Sequence, residues 1–265
     1  MELQPAAARA AYERDGFFIC GQPVLPAEVV AGALKGMDEV RAGRYHTGTQ
    51  PQPSVWKPGD DPHKLCKIEM PQIADQAIWK LVAHPALGEL AAALTGAQWV
   101  QVWWVQLLYK PPTHQQTSTN VGWHQDRYYW QVWEPGSELF TAWVALDEVR
   151  VESGPMRFVR GSHRWGFIGQ SDFFGQDLEG QRRAMPVPAG QEWSEAQVLL
   201  PAGGISFHHN LTLHGSGPNL SARPRRSFAI HLRTDKSRPV DDRRAGLTNF
   251  IDNHQYCPVV YQRPA

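Results

Sequence analysis

The chain has 265 residues, enough to bury a sizeable core within one elaborated domain. Its 26 basic and 26 acidic residues cancel, which argues against a nucleic-acid binder working through a broad basic face. No stretch resembles a membrane span or a secretory signal, and Cys20, Cys66 and Cys257 are too widely spaced for a disulfide framework or a zinc pattern, so a reduced, cytoplasmic protein with no membrane partner is expected.

In chain order, residues 1–98 read as a mainly helical scaffold. A helix opens at Leu25-Pro26-Ala27-Glu28, with Pro in its first turn and Val29, Val30, Ala33, Leu34 and Met37 as its apolar positions. Residues 43–62 are polar and rich in Pro and Gly, a long loop of the kind that is usually functional or mobile. A second helix covers 85–94, with Gly96 as its stop. From Trp99 the character changes. Residues 100–109 are apolar or aromatic except for Gln101 and Gln106, as in a strand covered on both faces. Further strands are predicted at 140–146, 156–159, 204–207 and 227–232. The fold class is therefore mainly β with flanking helices, and residues 99–235 suit a double-stranded β-helix (jelly roll, cupin-like). Residues 170–199 read as an insertion over its mouth, a candidate lid, and 236–265 as a C-terminal tail.

Composition is ordinary except for 11 tryptophans. Trp103, Trp104, Trp123, Trp130, Trp133, Trp143 and Trp165 fall near the segments discussed next. They serve either an aromatic core or a pocket wall for an apolar or flat substrate.

Trp123-His124-Gln125-Asp126 carries the first chemical signal. On a strand, residues i and i+2 share a side, so His124 and Asp126 can reach one ion while Gln125 points away. A His-x-Asp pair with one distant His is the 2-His-1-carboxylate set that binds Fe(II) and leaves one face open for O2 and a co-substrate. The distant His comes from His208, His209 or His214. His214 precedes Gly215-Ser216-Gly217, where the backbone can turn tightly beside a ligand, so His208 and His209 become supporting or structural groups. The second signal is Arg225-Arg226-Ser227. Phe228, Ile230 and Leu232 share a strand face with Arg226, whereas Arg225 shares the other with Ser227 and Ala229. An inward Arg beside small residues can hold a carboxylate bidentately, as a dicarboxylate co-substrate such as 2-oxoglutarate would require.

With these residues in view the chain resembles the phytanoyl-CoA dioxygenase (PhyH) type of Fe(II)/2-oxoglutarate oxygenase. The resemblance runs from about residue 11 to 233. Besides the two signals it rests on Tyr12-Glu13-Arg14-Asp15-Gly16-Phe17, Lys67-Ile68-Glu69 and Leu108-Tyr109-Lys110-Pro111-Pro112. It also rests on Trp143-Val144-Ala145-Leu146-Asp147 and the segment from Glu152-Ser153-Gly154-Pro155 to Gly161-Ser162-His163. The resemblance implies His124, Asp126 and His214 as metal ligands and Arg225 as the 2-oxoglutarate anchor. It places Lys67, Gln106, Gln125, Trp143 and Ser216 around that co-substrate; Ser227 joins them by spacing alone. Gln106 departs from a Met familiar at that position. Related halogenases carry a small residue where this chain has Asp126, so an oxygenase is expected.

The substrate is expected to be a small molecule, a compact metabolite or natural-product intermediate with an apolar body. Arg127, Tyr128, Trp130 and Trp133 follow the metal pair and are its candidate contacts, Arg127 for an anionic group. Two other readings stay open: a metal-dependent jelly-roll enzyme without 2-oxoglutarate, such as an isomerase or oxygen-only dioxygenase, and a non-catalytic jelly-roll binding protein.

Overall fold

Two antiparallel sheets face each other, and helices cover the outer side of the larger one. The computed structural model describes residues 4–113 and 119–264. The N-terminal part supplies α1 (Pro5–Asp15), β1 (Phe17–Cys20), α2 (Ala27–Arg41), β2 (Cys66–Glu69), α3 (Gln76–Val82) and α4 (Pro85–Thr95). The core follows with β3 (Trp99–Lys110), β4 (Val121–His124), β5 (Leu139–Ala145), β6 (Met156–Val159), α5 (Leu178–Ala184) and β7 (Glu195–Gln197). It closes with β8 (Ile205–His209), β9 (His214–Ser216), β10 (Arg225–Thr234) and β11 (Val259–Gln262). Among the described residues the larger sheet runs β1-β8-β5-β10-β3, with β2 and β11 sharing the far edge of β3, and the smaller runs β4-β9-β6-β7. This is the double-stranded β-helix expected from the strand pattern.

Strand parity sorts every side chain of the larger sheet. The register pairs Ser227 with Leu108 and Ala145, Ala229 with Gln106 and Trp143, and His231 with Trp104 and Thr141. Thr141 in turn faces His208 on β8. These residues point between the sheets. The alternate positions Phe228, Ile230 and Leu232 join Val105, Leu107, Phe140, Ala142 and Val144 in a core shared with α1 to α4. Each such buried aliphatic side chain contributes roughly 1.5–3 kcal/mol of transfer free energy, so the outer core is what holds the scaffold rigid behind the site. A bulge in β3 breaks the alternation once. His231 pairs with Trp104 but Leu232 with Val102, so Trp103 is the extra residue. Trp103 and Trp104 can then both join the cluster with Trp130, Trp133 and Leu139.

The five strands predicted from Trp99 onwards are all present with ends shifted by a residue or two, and both predicted helices form. Three expectations change. The first 98 residues also contain β1 and β2, both paired into the larger sheet. The stretch 170–199 is more than an insertion, since β7 within it pairs with β6. The tail contributes β11, which pairs with β3. The loop at 43–62 stays away from the central cavity, while Ser171 to Phe174 line it.

Candidate active site

Between the sheets lies a cavity of about 530 Å³ that gathers most of the residues singled out by the sequence. His124 closes β4 and His214 opens β9, and the two are directly paired across the strands. Their rings lie 4.0 Å apart, centre to centre. Each ring is fixed from behind: His124 Nδ1 lies 2.7 Å from the Gly122 carbonyl and His214 Nδ1 3.0 Å from that of Thr212. A carbonyl only accepts, so both Nδ1 atoms carry the proton and both Nε2 atoms present a lone pair. Burial lowers the proton affinity of both rings, which keeps them neutral.

Asp126 sits just past β4, at the start of a 3-10 turn spanning Asp126–Tyr128. Gln125 between them keeps an extended backbone, φ -104 and ψ 132, so the alternation runs to Asp126 before the chain turns. Asp126 Oδ1 lies 3.8 Å from His124 Nε2 and 3.7 Å from His214 Nε2. The three candidate ligand atoms fall within 4.8 Å of one another, all from buried residues. Burial opposes the charge on Asp126, but the hydrogen bond from His208 favours it, and the carboxyl is held well below the usual range. Two neutral imidazoles and a carboxylate converging on one point are the donor set that would hold a non-haem iron with positions left open.

The other oxygen of Asp126 is fully occupied. Oδ2 accepts from Thr141 Oγ1 at 2.8 Å and from His208 Nε2 at 3.1 Å. Having given its proton to Asp126, the Thr141 hydroxyl accepts from His231 Nδ1 at 2.8 Å. The His231 Nε2 lone pair is then left without a partner among the described residues, buried at the cavity wall. His208 thus supports Asp126. His209 faces the other side of β8, where its Nδ1 accepts from Leu211 N–H and burial lowers its pKa to about 4.

At the far end, Arg225 is buried beside Trp143, whose ring centre lies 5.2 Å from the guanidinium carbon. Its Nη1 donates to the carbonyl of Gly154, a residue at φ +67 whose missing Cβ would meet the Pro218 carbonyl at 2.6 Å. That requirement explains the Ser153-Gly154-Pro155 turn. Arg225 Nε has no partner among the described residues. Burial lowers its pKa to about 10, so it remains charged at neutral pH. Ser216, Trp143, Leu108 and Met156 complete this end. Arg226 points outward, as parity requires, and donates from Nε and Nη2 to Asp147 at 2.9 and 2.8 Å.

The remaining expectations divide. Lys67 and Gln106 line the cavity, but both address Glu69: Lys67 Nζ at 3.0 Å and Gln106 Nε2 at 3.5 Å. Gln125, expected around the co-substrate, lies outside the cavity lining. Its amide donates to the Gly166 and Leu211 carbonyls at 2.9 and 2.8 Å and accepts from Ile168 N–H at 2.9 Å. It braces the loops behind the metal pair. Ser227 is buried with its hydroxyl 3.4 Å from the Leu108 carbonyl, behind the cavity wall. Of the substrate candidates only Trp130 lines the cavity. Trp133 packs against Trp103 in the core, and Arg127 donates from Nη1 to the Trp130 carbonyl at 2.6 Å; both lie outside the cavity lining. Tyr128 is exposed beside Phe167, outside the cavity lining.

Sequence reading missed several wall residues. His231 and Thr141 continue the inward parity of Arg225 and Trp143, a signal that was available. The carboxylate of Glu69, two positions after Lys67, accepts from Trp104 Nε1 at 2.6 Å and fixes that wall. Tyr129, Phe173 and Phe174 form an aromatic flank, tied together where Phe173 N–H donates to the Tyr129 hydroxyl at 3.0 Å.

Comparison with known proteins agrees with this geometry. The family model for phytanoyl-CoA dioxygenase (PhyH) matches residues 12–227. Ectoine dioxygenase of Bordetella parapertussis is 28% identical over 230 residues, 81% of this chain and 70% of that protein. The probable alpha-ketoglutarate-dependent hypophosphite dioxygenase of Stutzerimonas stutzeri is 26% identical over 213 residues, 77% of this chain and 70% of its own length. Among solved structures, the epimerase SnoN in complex with Fe3+, alpha ketoglutarate and nogalamycin RO has a TM-score of 0.67 at 27% identity, covering 89% of this chain and 87% of that one. The carbocyclase SnoK from nogalamycin biosynthesis shares the fold with a TM-score of 0.69, at 23% identity over 90% of this chain and 87% of that one. The chain belongs to the phytanoyl-CoA dioxygenase (PhyH) family.

Proposed function

We propose that this protein is an Fe(II)- and 2-oxoglutarate-dependent oxygenase that hydroxylates a small molecule with an apolar, flat body. One observation carries the reading: a single cavity has a His-Asp-His cluster at one end and, at the other, a buried Arg225 with no carboxylate partner among the described residues. A metal enzyme without 2-oxoglutarate has no use for that arginine, and a pure binding module has no use for the cluster.

His124, Asp126 and His214 would hold the ion, and Arg225 with Ser216 would hold the distal carboxylate of 2-oxoglutarate. Iron with this keto acid and O2 supplies oxidative decarboxylation to succinate and carbon dioxide, coupled to oxidation of a C–H bond. The protein's part is geometry and exclusion of water. Thr141 and His208 occupy one oxygen of Asp126 and so turn the other toward the two imidazoles. Leu108, Met156 and Trp143 give the co-substrate's carbon chain an apolar channel. On the open side, Trp104, Trp130, Tyr129, Phe173 and Phe174 offer ring faces to substrate. The lone pair of His231 Nε2 supplies an acceptor for one hydroxyl or N–H on that otherwise apolar body. Since Arg127 lies outside the cavity lining, an anionic group is not part of this proposal.

The test is a screen of flat, weakly polar metabolites with Fe(II), 2-oxoglutarate and O2, reading substrate-dependent succinate and product mass. A gain of one oxygen atom in the product is the expected result. Substrate turnover that proceeds unchanged without 2-oxoglutarate would overturn the reading.

A further inference from the structure

Lys110 ends β3 directly opposite Arg225 on β10 and is fully buried. Its ammonium donates to Ser216 Oγ and to the Gly217 carbonyl, both at 2.6 Å. Among the described residues neither Lys110 nor Arg225 has a carboxylate partner, although register places them side by side. Burial, with Arg225 and Arg157 nearby, pushes the Lys110 proton affinity well down. Two cations buried together without an anion are costly, and such an arrangement calls for a ligand that brings the missing charge.

The hydrogen-bond directions sharpen this. While Lys110 is protonated it has donors only, so Ser216 Oγ then accepts from it. The serine's single proton is thereby freed, and it finds no acceptor among the described residues. Ser216 lines the cavity beside Arg225, and Lys110 does not.

We propose that Lys110 is a positioning residue of the co-substrate pocket: it fixes the Ser216 hydroxyl as a donor into the cavity and, with Arg225, makes that end a carboxylate hole. This rests on the 2-oxoglutarate reading above and adds a residue that never touches the ligand. Asn219 keeps the lysine's own backbone in place, its Nδ2 donating to the Lys110 carbonyl at 3.1 Å.

The experiment titrates 2-oxoglutarate and pyruvate anaerobically into the Fe(II) protein, following the visible charge-transfer band. Pyruvate has the same chelating end but no distal carboxylate. Lys110→Met is expected to weaken 2-oxoglutarate about 10- to 100-fold, as for loss of a charge-assisted contact, while pyruvate changes less than about twofold. In a Ser216→Ala background the same substitution should cost clearly less, because its effect runs through the hydroxyl. Lys110→Gln keeps a donor for Ser216 without the charge and serves if the Met variant does not fold; it should lie between wild type and Met for 2-oxoglutarate alone. Equal losses for both oxo acids would mean a merely structural lysine, and no loss for either would also overturn the proposal. If wild type itself fails to bind 2-oxoglutarate, the co-substrate reading falls with it.

Discussion

Arg225 and Arg226 are adjacent in sequence and opposite in environment, and the contrast separates chemistry from stability. Removing Arg225 should leave a dicarboxylate without its charged partner, at a cost of about 2–5 kcal/mol, or roughly 30- to 5,000-fold in 2-oxoglutarate affinity. Arg226→Ala loses a half-exposed pair with Asp147, so it should lower stability by about 1 kcal/mol or less and leave co-substrate binding unchanged. Equilibrium titration and a melt of each variant distinguish the two. The histidines make a second contrast. His124→Ala or His214→Ala should abolish the anaerobic Fe(II)/2-oxoglutarate band. His208→Ala leaves Asp126 Oδ2 with Thr141 alone and should weaken iron about 10- to 100-fold. His209→Ala, on the other side of β8, should keep the band. If His209→Ala lost iron as completely as His214→Ala, the ligand assignment would be wrong.

At the scale of elements, the sequence told most where one face of a strand is buried and least where a turn sets direction. The parity of β10 alone separated Arg225 from Arg226, and continuing it two residues past Ala229 leads to His231. Trp103 could not be placed that way, because a bulge leaves no trace in a run of apolar residues. Trp130 and Trp133 lie three apart in an irregular segment, so pattern offered no means of telling the cavity wall from the core. Gln125 was caught between two signals, strand alternation turning it away and resemblance drawing it in; its three hydrogen bonds follow the alternation. The partner of β4 was equally hidden: the segment Ser171 to Phe174 is polar and aromatic without period. Yet Gly122 N–H donates to the Phe173 carbonyl at 3.0 Å, and a Cβ at Gly122 would stand 1.9 Å from the Asp172 carbonyl. Gly122→Ala must therefore push this segment off β4. The expected outcome is about 1–3 kcal/mol of lost stability together with faster proteolysis near 170–176, since the Phe173 wall is released. Unchanged melting and cleavage would mean that the segment does not pack on β4 in solution.

At the scale of the whole molecule, the site is a place where the fold concentrates unsatisfied groups. Among the described residues, the lone pairs of His124 and His214 face Asp126, and Arg225 is buried with Nε unbonded. Groups of this kind cost stability until a ligand meets them. Metal and co-substrate bind the folded chain alone, so they should raise its melting temperature by mass action. At about 100 times its dissociation constant a ligand adds about 2.7 kcal/mol, which for a domain of this size corresponds to roughly 5–10 °C. Mn(II) serves as a stand-in that allows the melt to be run in air. The expected order is chelator-treated protein lowest, Mn(II) protein higher, and Mn(II) with 2-oxoglutarate highest. In Arg225→Ala the metal step should persist while the 2-oxoglutarate step collapses, because the metal ligands lie at the other end of the cavity. In His214→Ala both steps should vanish, since the keto acid end has no metal to meet. A 2-oxoglutarate step of full size in Arg225→Ala would place its distal carboxylate elsewhere, and Lys67, the other cation lining the cavity, would be the residue to remove next.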